Sequence, residues 1–499
     1  ALGPRRQRHR SSVDFHIVFL EAKAPRMMRL ALAHPRQPAL VVGFALAALS
    51  TIVGALLGFL GPLITASLLL GLGLAVWAVR DVEFGLWGMI LIIALLPFGT
   101  MPFKFVLTPT LLDIALAGVF LVYLAQWMTG QRRGLAASPA HALIMAFMLL
   151  ALFSFVAGSG NAVLTPNLLR KFAGFMLNVA LAFLVADHVA DSQKIARLLR
   201  VILLAGSAAA LLGLTLYFIP VDQAERGLNA LRIVNYPTGA VLRYIEDNPA
   251  NALRAIGTSV DPNAFGGLLA IVGALAAPQL ATARPLFGQR WPAWAMFALI
   301  VATLILTFSR TAMAALLAAI MFVTALRHRK LLSLVALAIV LFMFLPVAQQ
   351  YSSHFSAGLQ GQDLATHMRF GEYRDALTLI SRYPLFGVGF GGTPDVDIYL
   401  GVSSAYLLLA EQMGLVGLGF FVLAISVVLG WGLHHRRAAL SDSTLAAGWL
   451  GVHAALIAAL VIGLLDHYFV NLEFQAAQMF FWLLVGLALA ATRLAQGLK

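Results

Sequence analysis

Long apolar stretches separated by short polar connections repeat along most of this chain. Each is about 16 to 20 residues or longer, which is enough, or nearly enough, to cross a hydrocarbon core about 30 Å thick as a helix. No stretch alternates between apolar and polar residues in the manner of membrane β-barrel strands. The predicted fold is therefore all-α, a polytopic integral membrane bundle of about 12 to 14 helices. Fourteen spans are predicted, at about residues 39–57, 61–79, 82–97, 110–128, 140–157, 170–187, 198–219, 262–281, 292–308, 311–326, 331–347, 408–433, 446–465 and 475–493.

Composition excludes a water-soluble globular protein. Hydrophobic residues make up 61% of the 499 residues and charged residues 11%, whereas roughly a quarter of the residues in soluble proteins are charged. With 0 cysteines, the chain has no disulfides, cysteine-ligated metals or thiol nucleophiles. The formal net charge of +13 could suggest nucleic-acid binding, but in a membrane protein it is typical of cytoplasmic loops. We therefore predict membrane lipids, and no nucleic acid, among the partners.

The distribution of lysine and arginine predicts the orientation. With the N-terminus inside, 23 of the 34 cations fall in cytoplasmic segments, in agreement with the positive-inside rule. Eight of them lie in residues 1–37, which are predicted to form a basic cytoplasmic tail. Transmembrane helices are predicted to fill the N-terminal part, residues 38–197, and the C-terminal part, residues 198–499. Both termini are expected to be cytoplasmic.

Two connections inside the bundle are long, residues 220–261 and 348–402. Four predicted spans lie between them, so both emerge on the same, outer face. Long loops on one face of a compact bundle often carry function, and these two hold seven arginines. Within the second loop, Leu364 to Ser381 has apolar residues at near-helical spacing and stops before Pro384, which predicts a helix at the membrane surface.

Arginines near the outer membrane edge are the first candidate binding residues. Arg254 lies seven residues before the Asp261-Pro262-Asn263 step that opens a span, and Arg310 lies in the tight turn between two spans. A partly desolvated guanidinium there favours a bidentate phosphate or carboxylate. Snorkelling, or pairing with Asp261 or another outer acid, is the alternative. In the predicted surface helix, Arg369 shares a face with Tyr373, whereas Arg374 points about 140° away from Arg369.

Other polar features have both structural and chemical interpretations. The sequence GVGFGG from Gly387 could offer backbone amides to phosphate, or could form a flexible turn at the membrane surface. Glu411 precedes a run of small residues, so a structural pair with an arginine is expected there. His354 and His367 lie in the second outer loop, and His467 lies beside Asp466 at an outer membrane edge. Grouped metal ligands and nucleotide motifs are absent from the sequence, so we predict metal-independent chemistry without a cofactor.

Four stretches, in this order and spacing, resemble the O-antigen ligase and polymerase superfamily, whose members transfer glycans from undecaprenyl pyrophosphate on the periplasmic face of the bacterial inner membrane. The similar region covers roughly Leu198 to the C-terminus. The four stretches are RAIGTSVDPNAFGGLLAI from Arg254, LTFSRTAMAALLAAI from Leu306, RFGEYRDALTLISRYPLFGVGFGG from Arg369 and SSAYLLLAEQMGLVGLGFF from Ser403.

The resemblance implies a multi-pass inner-membrane glycosyltransferase of the GT-C-like type with a periplasmic active site. It implies that Arg254 and Arg310, with Arg369 or Arg374, bind the pyrophosphate of the lipid-linked donor, and that transfer to an acceptor hydroxyl inverts the anomeric configuration. For the general base, His367, His354, Asp395 and Asp397 are the candidates, with a solvated loop side chain as the alternative for each. Assembly with other polysaccharide-export proteins is a further expectation.

One departure from the ligase pattern bears on the acceptor. Ligases typically carry a histidine just before the final helix, where this chain has Val402, Ser403 and Ser404. The sequence therefore favours a polysaccharide polymerase, which extends O-antigen or exopolysaccharide chains on a lipid carrier. An O-antigen ligase that uses lipid A-core or protein as acceptor is the alternative. A lipid-linked oligosaccharide flippase is a further alternative. A transporter of this kind would be expected to have internal repeats and charges at the bilayer midplane, which the sequence does not show.

Overall fold

The structure is a computed structural model that describes residues 81–101, 108–132, 136–161, 163–327, 364–395 and 401–497, with isolated positions at 134, at 333 and between 47 and 65. The chain divides into two units, residues 1–77 and 78–499, and the description below concerns the second. The predicted tail falls outside the described residues, as do the predicted spans at 39–57, 61–79 and 331–347 apart from isolated positions.

Helices account for most of the described chain. They are α1 Val82–Leu95, α2 Leu111–Met128, α3 His141–Ala157, α4 Pro166–His188, α5 Ser192–Phe218, α6 Val221–Ala230, α7 Pro262–Ala276, α8 Trp291–Leu306, α9 Arg310–Leu326, α10 Leu364–Arg382, α11 Ala405–His434, α12 Arg436–Ser441, α13 Ala446–Leu465 and α14 Gln475–Ala495. Two short strands, β1 Arg243–Tyr244 and β2 Leu253–Arg254, pair antiparallel between α6 and α7.

The prediction of a polytopic helical membrane protein is confirmed. Within the described residues, eight helices are long and apolar enough to cross a membrane, and three further apolar helices are shorter. These helices coincide, within a few residues, with the predicted spans that fall in the described chain, and α10 coincides with the predicted surface helix. The largest difference is α5, which begins six residues early because Asp191 caps it by accepting a hydrogen bond from the Lys194 backbone N–H at 2.8 Å.

The core lies around α13 and α14. Helix α14 packs mainly along α4, and α13 packs along α7 and α9. The largest fully buried side chains include Trp449 of α13, Trp482 of α14 and Phe421 of α11. A helix that is apolar on all sides is stable only when other helices surround it or lipid does, so these two helices form the centre of the described bundle.

The helix ends sort into two faces. One of them, which we call the loop face, contains the ends of α1, α3, α5, α8 and α13. It also contains the starts of α2, α4, α7, α9, α11 and α14. Segments on it contact one another, for example Thr100 N–H with the Val234 carbonyl at 2.9 Å and Asn161 Nδ2 with the Val388 carbonyl at 2.8 Å. On the opposite face, Arg132 pairs with Asp187 at 2.7 Å. The connection 220–261 thus joins α5 to α7 at the loop face, and the described part of the connection 348–402 leads into α11 at the same face, as the alternation of spans predicts.

Candidate functional site

Arg254 is held at the loop face by the backbone around it. Strand pairing with β1 fixes the register of β2, and the next residue, Ala255, donates its N–H to the Leu306 carbonyl at 2.8 Å. The half-buried guanidinium donates through Nε to the Thr307 carbonyl at 2.8 Å and through Nη2 to Asn263 Oδ1 at 2.7 Å. Two donor directions of the fork are therefore fixed by hydrogen bonds, which orients the plane of the cation.

Asp261 stands at the start of α7 next to this arginine. Its Oδ1 accepts the Ala264 N–H at 2.7 Å as an N-cap, and Pro262 occupies the first helical position, where a missing N–H costs nothing. The same Oδ1 accepts the Tyr468 hydroxyl at 2.8 Å. This carboxylate therefore joins the start of α7 to the connection between α13 and α14.

Asp466 lies at the centre of the group. Its side chain is 5% exposed, it accepts a hydrogen bond from the Thr311 hydroxyl, and Arg369 Nη2 lies 3.4 Å from Oδ1. The pKa of Asp466 is raised to about 7, mainly by burial, with Arg369 and Arg254 opposing the rise and nearby Asp261 adding to it. We call the Asp466 cluster the set Arg254, Asp261, Thr311, Arg369, Asp466, His467 and Tyr468.

The segment before α11 closes this site on one side. Glu372 of α10 accepts the Ser403 N–H at 2.8 Å, and Tyr373 donates its hydroxyl to the Ser403 carbonyl at 3.3 Å. The Val402 carbonyl lies 3.0 Å from His467 Nδ1, and Ala405 donates its N–H to the Asp466 carbonyl at 3.1 Å. Residues 402–405 are therefore fixed between α10 and the connection after α13.

The predicted pyrophosphate ligands separate in the structure. Arg254 and Arg369 both act on Asp466 and so belong to one cluster. Arg310 is the half-buried first residue of α9, next in sequence to the cluster member Thr311. Arg374 is exposed on α10, and five residues of helix turn it about 140° from Arg369. The structure therefore brings Arg254 and Arg369 together, places Arg310 next to a cluster member, and leaves Arg374 on a different side of α10.

The predicted bases are placed less favourably. His354 and Asp397 lie outside the described residues, and His367 lies in the first turn of α10 with its side chain outside them. Asp395 is half-buried and pairs with Arg382 Nη1 at 3.0 Å. Arg382 ends α10, roughly 20 Å along the helix axis from Arg369, so Asp395 is anchored away from the Asp466 cluster.

The GVGFGG loop has a role that neither of its two predicted interpretations anticipated. Val388 donates its N–H to the Glu411 carbonyl at 2.9 Å, and Gly389 donates to the Gln412 carbonyl at 3.0 Å. Because these amides are bonded to α11, they are not available to a phosphate, and the loop is a packed clamp and not a flexible turn. Leu385 and Phe386, directly before the loop, lie against a break in α11 at Gly414, where φ is +68° and ψ is −178°.

Glu411 corrects a second expectation. Its side chain is 1% exposed, and within the described residues neither carboxylate oxygen has a hydrogen-bond partner. The expected pair with an arginine is therefore not formed in the described part of the chain.

An apolar groove borders the Asp466 cluster. Its walls come from α1, α7, α13 and α14 and include Ile93, Phe98, Leu268, Ile462, Phe480 and Tyr468. Tyr468 therefore faces this groove while its hydroxyl bonds to Asp261. A ligand with a polar head and an apolar tail could occupy both regions at once.

Sequence reasoning did not select several residues of the cluster. From the sequence, Asp466 and His467 are only residues at an outer membrane edge, although ionisable residues directly after an apolar span are a signal of a functional site. Asn263 and Thr311 carried no signal of their own, because their importance comes from their tertiary partners.

Comparison with known proteins gives one family match. Residues 295–422 match the family described as O-antigen ligase, which confirms the resemblance seen in the sequence. This stretch contains Thr311, Arg369 and Val402, whereas Arg254, Asp261 and Asp466 lie outside it. No curated protein sequence matches the chain.

Proposed function

We propose that this chain, whose residues 295–422 match the O-antigen ligase family, transfers glycan from undecaprenyl pyrophosphate to a sugar hydroxyl on the periplasmic face of the membrane. The observation that carries the proposal is the convergence of Arg254 and Arg369 on Asp466 at the loop face. A multi-pass enzyme of the ligase or polymerase type needs cations at the membrane edge, and here they come from two distant segments.

The Asp466 cluster suits a leaving pyrophosphate. Because burial raises the pKa of Asp466 to about 7, its charge only partly offsets the two arginines at neutral pH. Negative charge builds on the pyrophosphate as the glycosidic bond breaks, so fixed guanidiniums would stabilise the transition state more than the ground state. Arg310, at the start of α9, is the third cation we assign to this role.

The apolar groove suits the isoprenoid part of the donor. Its wall residue Tyr468 is shared with the polar cluster, so a pyrophosphate at the arginines would leave its chain at the mouth of the groove. Burial of apolar surface there would contribute roughly 25 cal/mol per Å² to donor binding.

Between the two activities, we favour a polymerase that extends a lipid-linked polysaccharide. Residues 402–404 carry no histidine, and Ser403 is held by Glu372 and Tyr373. The ligase remains the second candidate because the matching family is described as O-antigen ligase.

The test is the length of carrier-linked glycan in cells that lack the gene, complemented with the wild-type chain or with Arg254→Ala. Loss of long chains, with single repeat units left on the carrier, would support the polymerase. Long chains that accumulate on the carrier without an acceptor would reverse the ranking in favour of the ligase. Repeat units trapped on the cytoplasmic side would point to a flippase and contradict both.

A further inference from the structure

His467 is held in one tautomer. Its Nδ1 lies 3.0 Å from the Val402 carbonyl oxygen, which can only accept, so Nδ1 carries the hydrogen. In the neutral ring Nε2 then has a free lone pair, and no hydrogen bond to Nε2 is formed among the described residues. The ring is further fixed by Tyr468 and Phe474, whose ring centroids lie 5.2 and 5.7 Å from its own.

The charges around His467 come from the Asp466 cluster and from Glu372. Glu372 and Arg369 face it from α10, and Asp261 faces it from the start of α7. Burial is the largest influence and lowers the pKa of His467, with Arg369 acting in the same direction, while the Val402 carbonyl and the two carboxylates oppose it. Burial therefore favours the neutral imidazole, which is able to accept a proton.

Its neighbours in the cluster are less suited to that task. Asp261 Oδ1 is engaged by the Ala264 N–H and the Tyr468 hydroxyl, and Asp466 accepts from Thr311 and lies beside Arg369. Burial raises the pKa of Tyr468 well above its ordinary value, so its phenol stays protonated.

We propose that His467 is the general base that activates the acceptor hydroxyl. This rests on the proposed function. The acceptor oxygen attacks the anomeric carbon and forms the new glycosidic bond, while its proton passes to Nε2 of His467. The bond from the anomeric carbon to the pyrophosphate oxygen breaks, and undecaprenyl pyrophosphate leaves with the electron pair between the arginines. The Val402 carbonyl stabilises the imidazolium that results.

The test uses the purified full chain in nanodiscs with a lipid-linked oligosaccharide donor and acceptor. His467→Asn can keep a donor at the Nδ1 position for Val402 but has no base, so we expect kcat to fall by about 10²-fold or more with donor binding retained. The kcat of His467→Ala should fall similarly. Added imidazole should restore part of the rate of His467→Ala but none of the rate lost in Arg254→Ala. His434→Ala, an exposed histidine at the end of α11, is the matched control and should keep wild-type activity.

The pH profile separates a base from a structural tether. Wild-type kcat should rise through an acidic limb below pH 6.5, because protonated His467 is inactive and burial lowers its pKa. That limb should disappear in His467→Asn. Full activity of His467→Asn alongside an active wild type would overturn the assignment of the base alone. A folded wild type that transfers glycan from no carrier-linked donor would overturn the proposed function and the base with it.

Discussion

Arg254 and Arg369, 115 residues apart in the sequence, both act electrostatically on the Asp466 carboxylate. Each could be identified from the sequence as a candidate, because arginine on the outer side of the membrane is disfavoured by the positive-inside rule. The difference between Arg369 and Arg374 was also readable, since it follows from the helical repeat alone. The partner Asp466 was not, because only tertiary structure brings the α13–α14 connection beside α10.

His467 shows the limit of linear position as a guide to the site. The ligase pattern has its histidine at the place of residues 402–404, and the bases predicted from the sequence lie in the second outer loop. The imidazole that touches Val402 instead comes from a position 65 residues later. Linear position could not predict this contact, which depends on the packing of α13 against α11.

Arg254 allows a direct test of cation geometry. We expect Arg254→Ala to lower the transfer rate by about 10²–10³-fold while expression persists, since a fixed donor to the leaving group is lost. Arg254→Lys should recover only part of this, because one ammonium cannot replace the planar fork that bonds Thr307 and Asn263. Arg310→Ala should also be inactive.

The matched control is Arg243→Ala, measured in the same transfer assay. Arg243 lies opposite Arg254 in the strand pair. Its side chain, however, is 45% exposed, and its ion pair with Asp247 is long, at 3.9 Å. We expect a near wild-type rate. Equal tolerance of alanine at positions 243, 254 and 310 would mean that these arginines are ordinary loop residues.

Asp466 predicts how stability depends on pH. Its pKa rises from an ordinary 3.8 to about 7 in the folded protein, so between these values the folded state binds more protons than the unfolded state. Stability should therefore fall as pH rises from about 4 to 7. Asp466→Asn does not titrate, so its melting temperature in detergent should change less across this window than that of the wild type. Asp247→Asn, at an exposed position, is the control and should melt with the pH dependence of the wild type. The prediction is contradicted if Asp466→Asn also keeps the wild-type pH dependence.

At the scale of elements, hydropathy located the described helices because a span must satisfy its own backbone hydrogen bonds within about 20 apolar residues. Polar capping residues then set the ends, as Thr110 does in a capping box with Asp113 at the start of α2. The break in α11 was not predictable, since a glycine inside an apolar helix has no signal of its own. The break faces the segment directly before the GVGFGG loop, where the Pro384 and Leu385 carbonyls accept the Leu415 and Val416 N–H groups at 2.8 and 3.3 Å, so this segment and the loop together clamp α11 there.

That clamp makes Gly414 a sensitive position. A Cβ there would lie 2.1 Å from the Leu385 carbonyl oxygen, and the backbone conformation is one that essentially only glycine adopts. We expect Gly414→Ala to destabilise the protein by about 1–3 kcal/mol from strain alone, and more from the collision. Thermal unfolding in detergent is the measurement.

Gly419→Ala is the control on the same helix. Gly419 is exposed, and a Cβ there would meet nothing within 4 Å. Alanine favours a helix by up to about 1 kcal/mol relative to glycine, so stability should stay level or rise. If both variants melt like the wild type, the clamp does not hold α11 in its broken form.

At the scale of the whole molecule, the distribution of cations along the sequence and the arrangement of helix ends in the structure both define two faces. Contacts such as Arg493 Nη2 with the Val189 carbonyl at 2.9 Å join segments that the alternation of spans places together on the inner side. The Asp466 cluster lies on the other, loop face. Which face meets the periplasm is predicted by the split of 23 inner to 11 outer cations.

Cysteine labelling tests that orientation with no background, because the chain contains 0 cysteines. Ala250 is exposed in the connection between α6 and α7 at the loop face, and Gly134 is exposed between α2 and α3 on the opposite face. A membrane-impermeant maleimide should label Ala250→Cys in cells whose outer membrane is permeabilised, and should label Gly134→Cys only after the inner membrane is broken. Since the pyrophosphate head of a donor on the periplasmic side must reach Arg254 without crossing the membrane, the reverse labelling pattern would remove the loop face as the site of glycan transfer.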